Sequence, residues 1–271
     1  MASHTERNAG RKAFHKGSGK PGPQRFQARR DAVSDDWLWG WHAVIAALEN
    51  PARPSAQRLL ATQDRARELE RRFGSASAAL EIVEGQIIGQ ILPQGAVHQG
   101  IALRIPEPKP LRVEDFEPRP GAVLLMLDQV TDPQNIGAIL RSAAAFGAVG
   151  VILQDRHAPK LTGALAKAAA GAVDKTPTAR VINLSRALEV LSEAGWRTIG
   201  LDGGGRSDSL EQALDGGPVV LVLGSEGEGL RRLVAEHCDQ LACIPMPGGF
   251  ESLNVSAAAA IALYEARRAR P

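Results

Sequence analysis

The sequence predicts an α/β protein built on a mostly parallel sheet with helices on both faces, preceded by a smaller α/β unit. Three observations carry that expectation. From residue 121 onward, short apolar runs alternate with helical patterns, the order that parallel sheets with crossover helices produce. The runs are apolar at every position, as in Ala122 to Leu127, which suits strands covered on both faces. Residues 106–120 carry five prolines, Pro106, Pro108, Pro110, Pro118 and Pro120, with acids and bases between them, and read as a semi-rigid extended linker. The length agrees: 271 residues suit two average domains, and 44% apolar with 23% charged residues is ordinary globular usage.

The elements follow in chain order. Residues 1–35 form a basic arm, since positions 1–30 hold eight basic side chains and one acid, a net +7, while the whole chain is only +2. Glycine, proline and glutamine fill the gaps, a composition that cannot offset the entropy of ordering. Such an arm either contacts phosphate backbones by counterion release or simply solubilises the chain, and charge alone leaves both open. Residues 36–105 form the small unit. Trp37 to His42 leads into a short helix, Ala43 to Leu48, stopped at Asn50 and Pro51. Arg58 to Thr62 reads as a strand, and Asp64 to Phe73 as a helix closed by Gly74. Leu80 to Val83 and Gly100 to Ile105 are further strands. Trp37, Trp39 and Trp41 alternate, so an extended segment would put all three on one face, where they stack on bases or, more commonly, pack a core.

Residues 121–271 form the larger unit. After the strand Ala122 to Leu127, Asp132 reads as a helix N-cap with Pro133 at the first helical position. The helix Ile136 to Phe146 closes at Gly147. Strands follow at Gly150 to Leu153, Arg197 to Leu201 and Pro218 to Leu223, then a helix from Leu230 to Asp239 and a strand from Leu241 to Pro245. The last helix runs from Val255 to Arg270.

Several function classes are disfavoured. The six histidines, His4, His15, His42, His98, His157 and His237, show no ligand spacing, and Cys238 and Cys243 alone make neither a zinc site nor a disulfide framework, so no metal is expected. No GxSxG elbow, Walker A sequence or GxGxxG after a strand occurs. The longest nearly apolar stretch, Val255 to Tyr264, is shorter than the roughly 20 residues a bilayer span needs, so no membrane partner is expected. The N-terminus carries no apolar signal region, and the expected location is cytoplasmic, with both thiols reduced.

Three loops, each after a buried-type strand, are the natural site candidates, because parallel α/β sheets bind ligands at the carboxyl ends of their strands. The first, 127–142, holds Asn135 and Arg141. Six residues apart, they lie about 240° apart around a helix, so both reach one site only if Asn135 sits in the loop or first turn. Read alone, Arg141 is a surface or interface ion-pair residue. The second, 223–230, has Gly224, Gly227 and Gly229, which suit close backbone approach to a ligand or merely a flexible turn. The third, 244–256, alternates Ser252, Asn254 and Ser256 beside an alanine-rich helix; one can cap that helix, and three exceed what a cap needs.

Together these loops resemble the three motifs of the SpoU/TrmH family of RNA ribose 2′-O-methyltransferases, in the SPOUT superfamily. The matching text is Asp132 to Arg141, Leu223 to Leu230, and Ile244 to Met246 followed by Ser252 to Ser256. Trp39 to Val44 and His98 to Ile101 resemble the small RNA-binding domain of the bacterial branch that methylates a guanosine of 23S ribosomal RNA. The resemblance implies S-adenosyl-L-methionine as cofactor, a C-terminal trefoil knot, and a homodimer with its active site at the interface. It implies 2′-O-methylation of a guanosine in 23S ribosomal RNA. By position it implies that Gly224, Ile244 and Leu253 contact the cofactor, largely through backbone. Asn135, Arg141, Glu226, Ser252 and Asn254 would form the catalytic and substrate-binding set. Asp174 departs from relatives, which often carry Glu there.

For such chemistry the 2′-oxygen must lie in line with the methyl group at about 3–3.5 Å and lose its proton. A guanidinium has a pKa above about 12, so Arg141 is expected to stay charged, bind the adjacent phosphate and stabilise negative charge on the oxygen. Asn135 and Ser252 would orient Arg141 or the ribose, and Glu226 would hold Arg141 or Asn135. Transfer RNA as substrate, and a non-catalytic RNA-binding protein of ribosome assembly, are the alternatives.

Overall fold

The computed structural model describes residues 36–74, 80–156, 158–203, 207–248 and 252–269. The basic arm lies outside the described residues, as do His4, His15, His157, Gly204, Gly205 and the end of the last helix at Arg270.

The small unit is a four-stranded sheet of β1 (Trp37–Trp39), β2 (Arg58–Ala61), β3 (Leu80–Ile82) and β4 (Ile101–Arg104), in the order β1-β4-β2-β3. β4 runs antiparallel to both neighbours, and β2 and β3 are parallel. Strand alternation sends Leu38 to one side and Trp37 and Trp39 to the other, where they pack with Leu60, Ile88 and Ala102. The expected single face of three tryptophans is therefore corrected. Gly40, at φ 87°, ends the strand, and Trp41 opens helix α1 (Trp41–Glu49) instead. There the Arg65 guanidinium lies 4.7 Å over its ring. Helix α2 (Gln63–Phe73) ends at Gly74. Helix α3 (Gly85–Ile91) was not anticipated, because its two glycines argue against a helix; complete burial of Ile88 overrides that weak preference.

The main sheet has seven strands: β5 (Val123–Leu127), β6 (Gly150–Gln154), β7 (Thr178–Val181), β8 (Arg197–Leu201), β9 (Asp208–Ser209), β10 (Val219–Leu223) and β11 (Gln240–Cys243). Their order is β7-β6-β5-β10-β8-β11-β9, and every pairing is parallel. All residues of β5, β6 and β10 are buried, because both faces are covered. On one face, Leu125 and Leu127 pack with helices α4 (Pro133–Phe146), α5 (Gly163–Ala169), α7 (Leu210–Ala213) and α9 (Val255–Arg268). On the other, Leu124 and Met126 meet helices α6 (Leu184–Glu193) and α8 (Arg232–Glu236). Asp132 caps α4 by accepting from the Asn135 backbone N–H at 3.0 Å, and Gly147 closes it in the left-handed conformation. The helix expected from Leu230 to Asp239 is confined to Arg232–Glu236, since Arg231 at its start is held by Asp128.

The proline-rich segment 106–120 is anchored to the main sheet at separate points, with Val113 and Phe116 buried. The Leu111 N–H donates to the Thr178 carbonyl at 2.8 Å. The Phe116 ring packs against Gly150, and the Trp196 indole N–H donates to the Phe116 carbonyl at 3.3 Å. The small unit thus shares a core with the main sheet: Leu38, Val44, Leu59 and Leu103 belong to the same buried cluster as Leu125, Ile139 and Leu165. The described residues accordingly form one compact unit.

Two polar junctions fix this arrangement. Asp174 accepts from Arg53 Nε at 2.6 Å, Arg53 Nη2 at 3.0 Å and Asn50 Nδ2 at 3.0 Å, while Arg53 Nη1 donates to the Pro106 carbonyl at 2.6 Å. The two charged side chains are only 1% and 3% exposed. At the second junction Gln99, in the left-handed region at φ 56°, accepts at Oε1 from the Trp41 N–H and from Lys167 Nζ at 2.8 Å.

Candidate active site

The chain leaves β5 for β6 and β7 on one side, then returns through β8 and β10 on the other. Strand order therefore reverses between β5 and β10, the position where open α/β sheets hold ligands beyond their carboxyl ends. A cavity of about 400 Å³ lies next to that point, beyond the carboxyl ends of β10, β8 and β11. It is lined by the loop after β8 (Leu201, Asp202), the loop after β10 (Gly224, Glu226), Ile244 and Met246 after β11, and Ser252 and Leu253 before α9. The lining mixes apolar side chains with loop backbone, as a nucleoside-sized ligand requires.

The loop after β10 is shaped by backbone contact. A Cβ placed on Gly224 would lie 2.1 Å from the carbonyl carbon and oxygen of Gly229 and 2.4 Å from the nitrogen of Leu230. Only glycine allows that approach. The Gly229 N–H donates to the Ser225 carbonyl at 3.0 Å, closing the neck of the loop. Glu226 stands at its tip.

Three polar side chains meet at the rim. Asn135, in the first turn of α4, donates from Nδ2 to Glu226 Oε1 at 3.0 Å. Asn254 donates from Nδ2 to the same oxygen at 2.5 Å and to Asn135 Oδ1 at 3.0 Å. The orientation of Asn254 is dictated by its cap: its Oδ1 accepts from the N–H groups of Ser256 and Ala257, which turns its amide nitrogen toward the carboxylate. Motifs far apart in sequence thus close a ring of hydrogen bonds.

The structure therefore brings Asn135, Glu226 and Asn254 into direct contact, and places Gly224, Ile244, Ser252 and Leu253 on the cavity wall. Asn135 does sit in the first helical turn. Of the two partners expected for Glu226, the ring contains Asn135. Arg141 lies further along α4, exposed, and makes no hydrogen bond or ion pair among the described residues.

Asp128 was not singled out from sequence. It directly follows β5, is fully buried, and binds Arg231 at the exit of the glycine loop. A lone acid at the end of an apolar strand, with Arg231 just past the glycine loop, was the available signal. Burial, aided by Asp239 and Asp128, pushes the nearby Cys238 thiol up to about 12, so it is protonated and inert near neutral pH. Among the described residues no group of three or more His, Cys, Asp or Glu side chains is arranged to hold a metal ion, and no helix is long and apolar enough to cross a membrane.

Two family profiles match the chain. Residues 122–264 match the SpoU rRNA Methylase family, and residues 37–111 match the RNA 2′-O ribose methyltransferase substrate binding domain. An uncharacterized tRNA/rRNA methyltransferase of Synechocystis sp. is 38% identical over 262 residues, which cover 92% of this chain and 66% of that protein. One from Mycolicibacterium vanbaalenii is 46% identical over 180 residues, covering 64% of this chain and 57% of that one. The chain therefore spans roughly three-fifths of the length of the curated relatives it matches. Among solved structures, an AdoMet-bound rRNA methyltransferase from Sinorhizobium meliloti superposes with a TM-score of 0.72 at 26% identity, covering 90% of this chain and 93% of that one. With more than half of its length matched by one profile, over the strands and loops that build the cavity, the chain belongs to the SpoU rRNA methylase family.

Proposed function

We propose that the chain is an S-adenosylmethionine-dependent RNA ribose 2′-O-methyltransferase that modifies a guanosine of 23S ribosomal RNA and works as a homodimer. The observation that carries this reading is the Asn135–Glu226–Asn254 ring, which sets three directed polar groups beside a nucleoside-sized cavity. The cofactor fits the residues present: Gly224 leaves loop backbone open to the cavity, and Ile244 and Leu253 supply apolar walls. Bound there, S-adenosylmethionine supplies a methyl group already activated by its sulfonium. Asn135 and Ser252 orient the ribose, with Glu226 and Asn254 locking the Asn135 amide. Arg141 binds the phosphate beside the target nucleotide and stabilises negative charge on the 2′-oxygen; as the O–CH3 bond forms and the S–CH3 bond breaks to release S-adenosylhomocysteine, the hydroxyl proton passes to solvent water.

Arg141 lies about 240° around α4 from Asn135, is exposed and pairs with nothing among the described residues, and in this reading it serves the pocket of a second copy. Ile261 and Tyr264, exposed on α9, give that contact apolar surface. The trefoil knot belongs to the same reading, supported by the way β10 and β11 each insert between strands that precede them in the chain.

Mixed dimers test the shared site. Arg141→Ala and Glu226→Ala each lower activity on the order of 100-fold or more when alone. Mixing the two inactive proteins restores roughly a quarter of wild-type activity, because half the dimers are mixed and each holds one intact site. No restoration contradicts a site built from two copies. Arg141→Lys keeps the charge but not the planar fork, and is expected to remain impaired; full activity with an unchanged pH profile contradicts the role given to the guanidinium. The substrate is tested by mapping ribose methylation in ribosomal and transfer RNA from a deletion strain. Loss of one 23S guanosine mark is expected, whereas loss of a transfer RNA mark alone reassigns the substrate.

A further inference from the structure

We propose that Asp128 and Arg231 are a positioning pair that holds the 224–230 loop in its donor-binding shape, an inference that rests on reading the cavity as the methyl-donor site. Asp128 grips both ends of that loop. Its own N–H donates to the carbonyl of Leu223, the residue before the loop, at 2.8 Å. Its carboxylate takes the residue after the loop: Oδ2 accepts from the Arg231 N–H at 3.0 Å, and Oδ1 from Arg231 Nε at 2.7 Å. Seven residues are thereby closed into a ring on the end of β5, and the contact of Gly224 with Gly229 pinches its neck. The closed loop lines the cavity from Gly224 to Gly229, and Glu226 is among these residues. Neither Asp128 nor Arg231 is among the cavity-lining residues, so the pair acts through the loop rather than on a ligand.

The two partners are buried unequally, and that asymmetry separates positioning from general stability. The Asp128 side chain is 0% exposed and that of Arg231 is 41% exposed. A buried carboxylate needs its partners, whereas a half-exposed guanidinium released from the pair finds water. Asp128→Asn keeps the shape, removes the buried charge and turns an amide toward the arginine donors. It loosens the tether without stranding a buried cation. Asp174→Asn alters the fully buried Arg53–Asp174 pair between the two sheets, away from this loop, and serves as the control for general destabilisation.

The test uses the full chain and S-adenosylmethionine as the probe. Calorimetry gives the donor Kd, and steady-state kinetics on ribosomal RNA give KM for the donor and kcat at saturating donor. For Asp128→Asn, Kd and KM are expected to rise about 10-fold or more while kcat changes less than about threefold. Arg231→Lys, which keeps the charge and loses the fork, is expected to fall between that variant and wild type. Asp174→Asn is expected to lower Tm with Kd unchanged. Wild-type binding together with an unchanged Kd in Asp128→Asn and Arg231→Lys overturns the proposal, as does an equal loss of affinity in Asp174→Asn. If Asp128→Asn fails to fold, Arg231→Lys decides by the same readouts. Absence of binding by the wild-type chain overturns the donor-site reading itself, and this inference with it.

Discussion

Replacing Gly224 with alanine is expected to raise the donor Kd on the order of 100-fold, close to 2.7 kcal/mol of lost binding. The added methyl group would sit 2.1 Å from the Gly229 carbonyl and 2.4 Å from the Leu230 nitrogen. These are backbone atoms that no rotamer change can move, so the loop itself must open. Overpacking of this kind costs about 1–3 kcal/mol by itself. Opening the neck also displaces Glu226 and breaks the ring it shares with Asn135 and Asn254. Both affinity and turnover should therefore fall, while Tm changes modestly because the clash lies in a surface loop. Calorimetry with S-adenosylmethionine and a melting curve read the two effects separately. An unchanged Kd would mean that the neck of this loop does not shape the donor site.

The second large effect is on stability. Asp174→Ala is expected to cost about 3–5 kcal/mol, because it leaves the buried Arg53 guanidinium without its counter-charge. Three donors, from Arg53 and Asn50, lose their acceptor at once. The pair joins the turn after helix α1 of the small unit to the turn after α5 of the large one, so the whole described unit should melt lower and in one transition rather than the small unit detaching first. Removing both charges, as in Arg53→Met with Asp174→Leu, should recover most of the loss, since a well-packed apolar pair is about as stable as a buried ion pair. Urea denaturation monitored by tryptophan fluorescence measures this, with Trp37 and Trp39 reporting on the small sheet and Trp196 on the large one. A loss below about 1 kcal/mol for Asp174→Ala would show that the junction does not hold the units together.

Much of the main sheet was legible in the sequence because its signals are local. A fully buried parallel strand writes itself as an unbroken apolar run, and Val123–Leu127 and Val219–Leu223 do so. Asp132, Pro133 and Gly147 mark the ends of α4 by their own chemistry. The segment 155–196 received no element, although Asn183 and the spacing of Leu184, Leu188 and Leu191 carry an ordinary helix signal. What stayed illegible depends on partners distant in sequence. Trp41 belongs to a helix because Gly40 turns the chain and Gln99, far along the chain, accepts its N–H. The expected helix from Leu230 starts late because Asp128, 103 positions earlier, holds Arg231.

The candidate site divides in the same way. Its motifs were visible as text, but no periodicity predicts that Asn254 shares one carboxylate oxygen with Asn135 across 119 positions of sequence. The cap on α9 explains the orientation once the contact is known: the helix N–H groups claim the amide oxygen and leave only the nitrogen for Glu226. Arg141 has its place on α4 fixed by the helix, and it meets no partner among the described residues, so the local pattern by itself does not assign it a role.

The central claim is that this pocket directs a methyl group to a ribose oxygen of RNA, and labelled methyl transfer followed by alkaline digestion tests it most directly. Ribosomal RNA from a deletion strain is incubated with the wild-type chain and S-adenosylmethionine carrying a tritiated methyl group, then hydrolysed in alkali. Alkaline cleavage needs a free 2′-oxygen to attack the neighbouring phosphodiester, so a methylated ribose protects its own linkage. The account predicts label in alkali-stable dinucleotides with guanosine on the 5′ side, and initial incorporation lower on the order of 100-fold when Glu226→Ala replaces the wild-type chain. Label released in mononucleotides, which marks base methylation, or no incorporation into RNA at all, would contradict it.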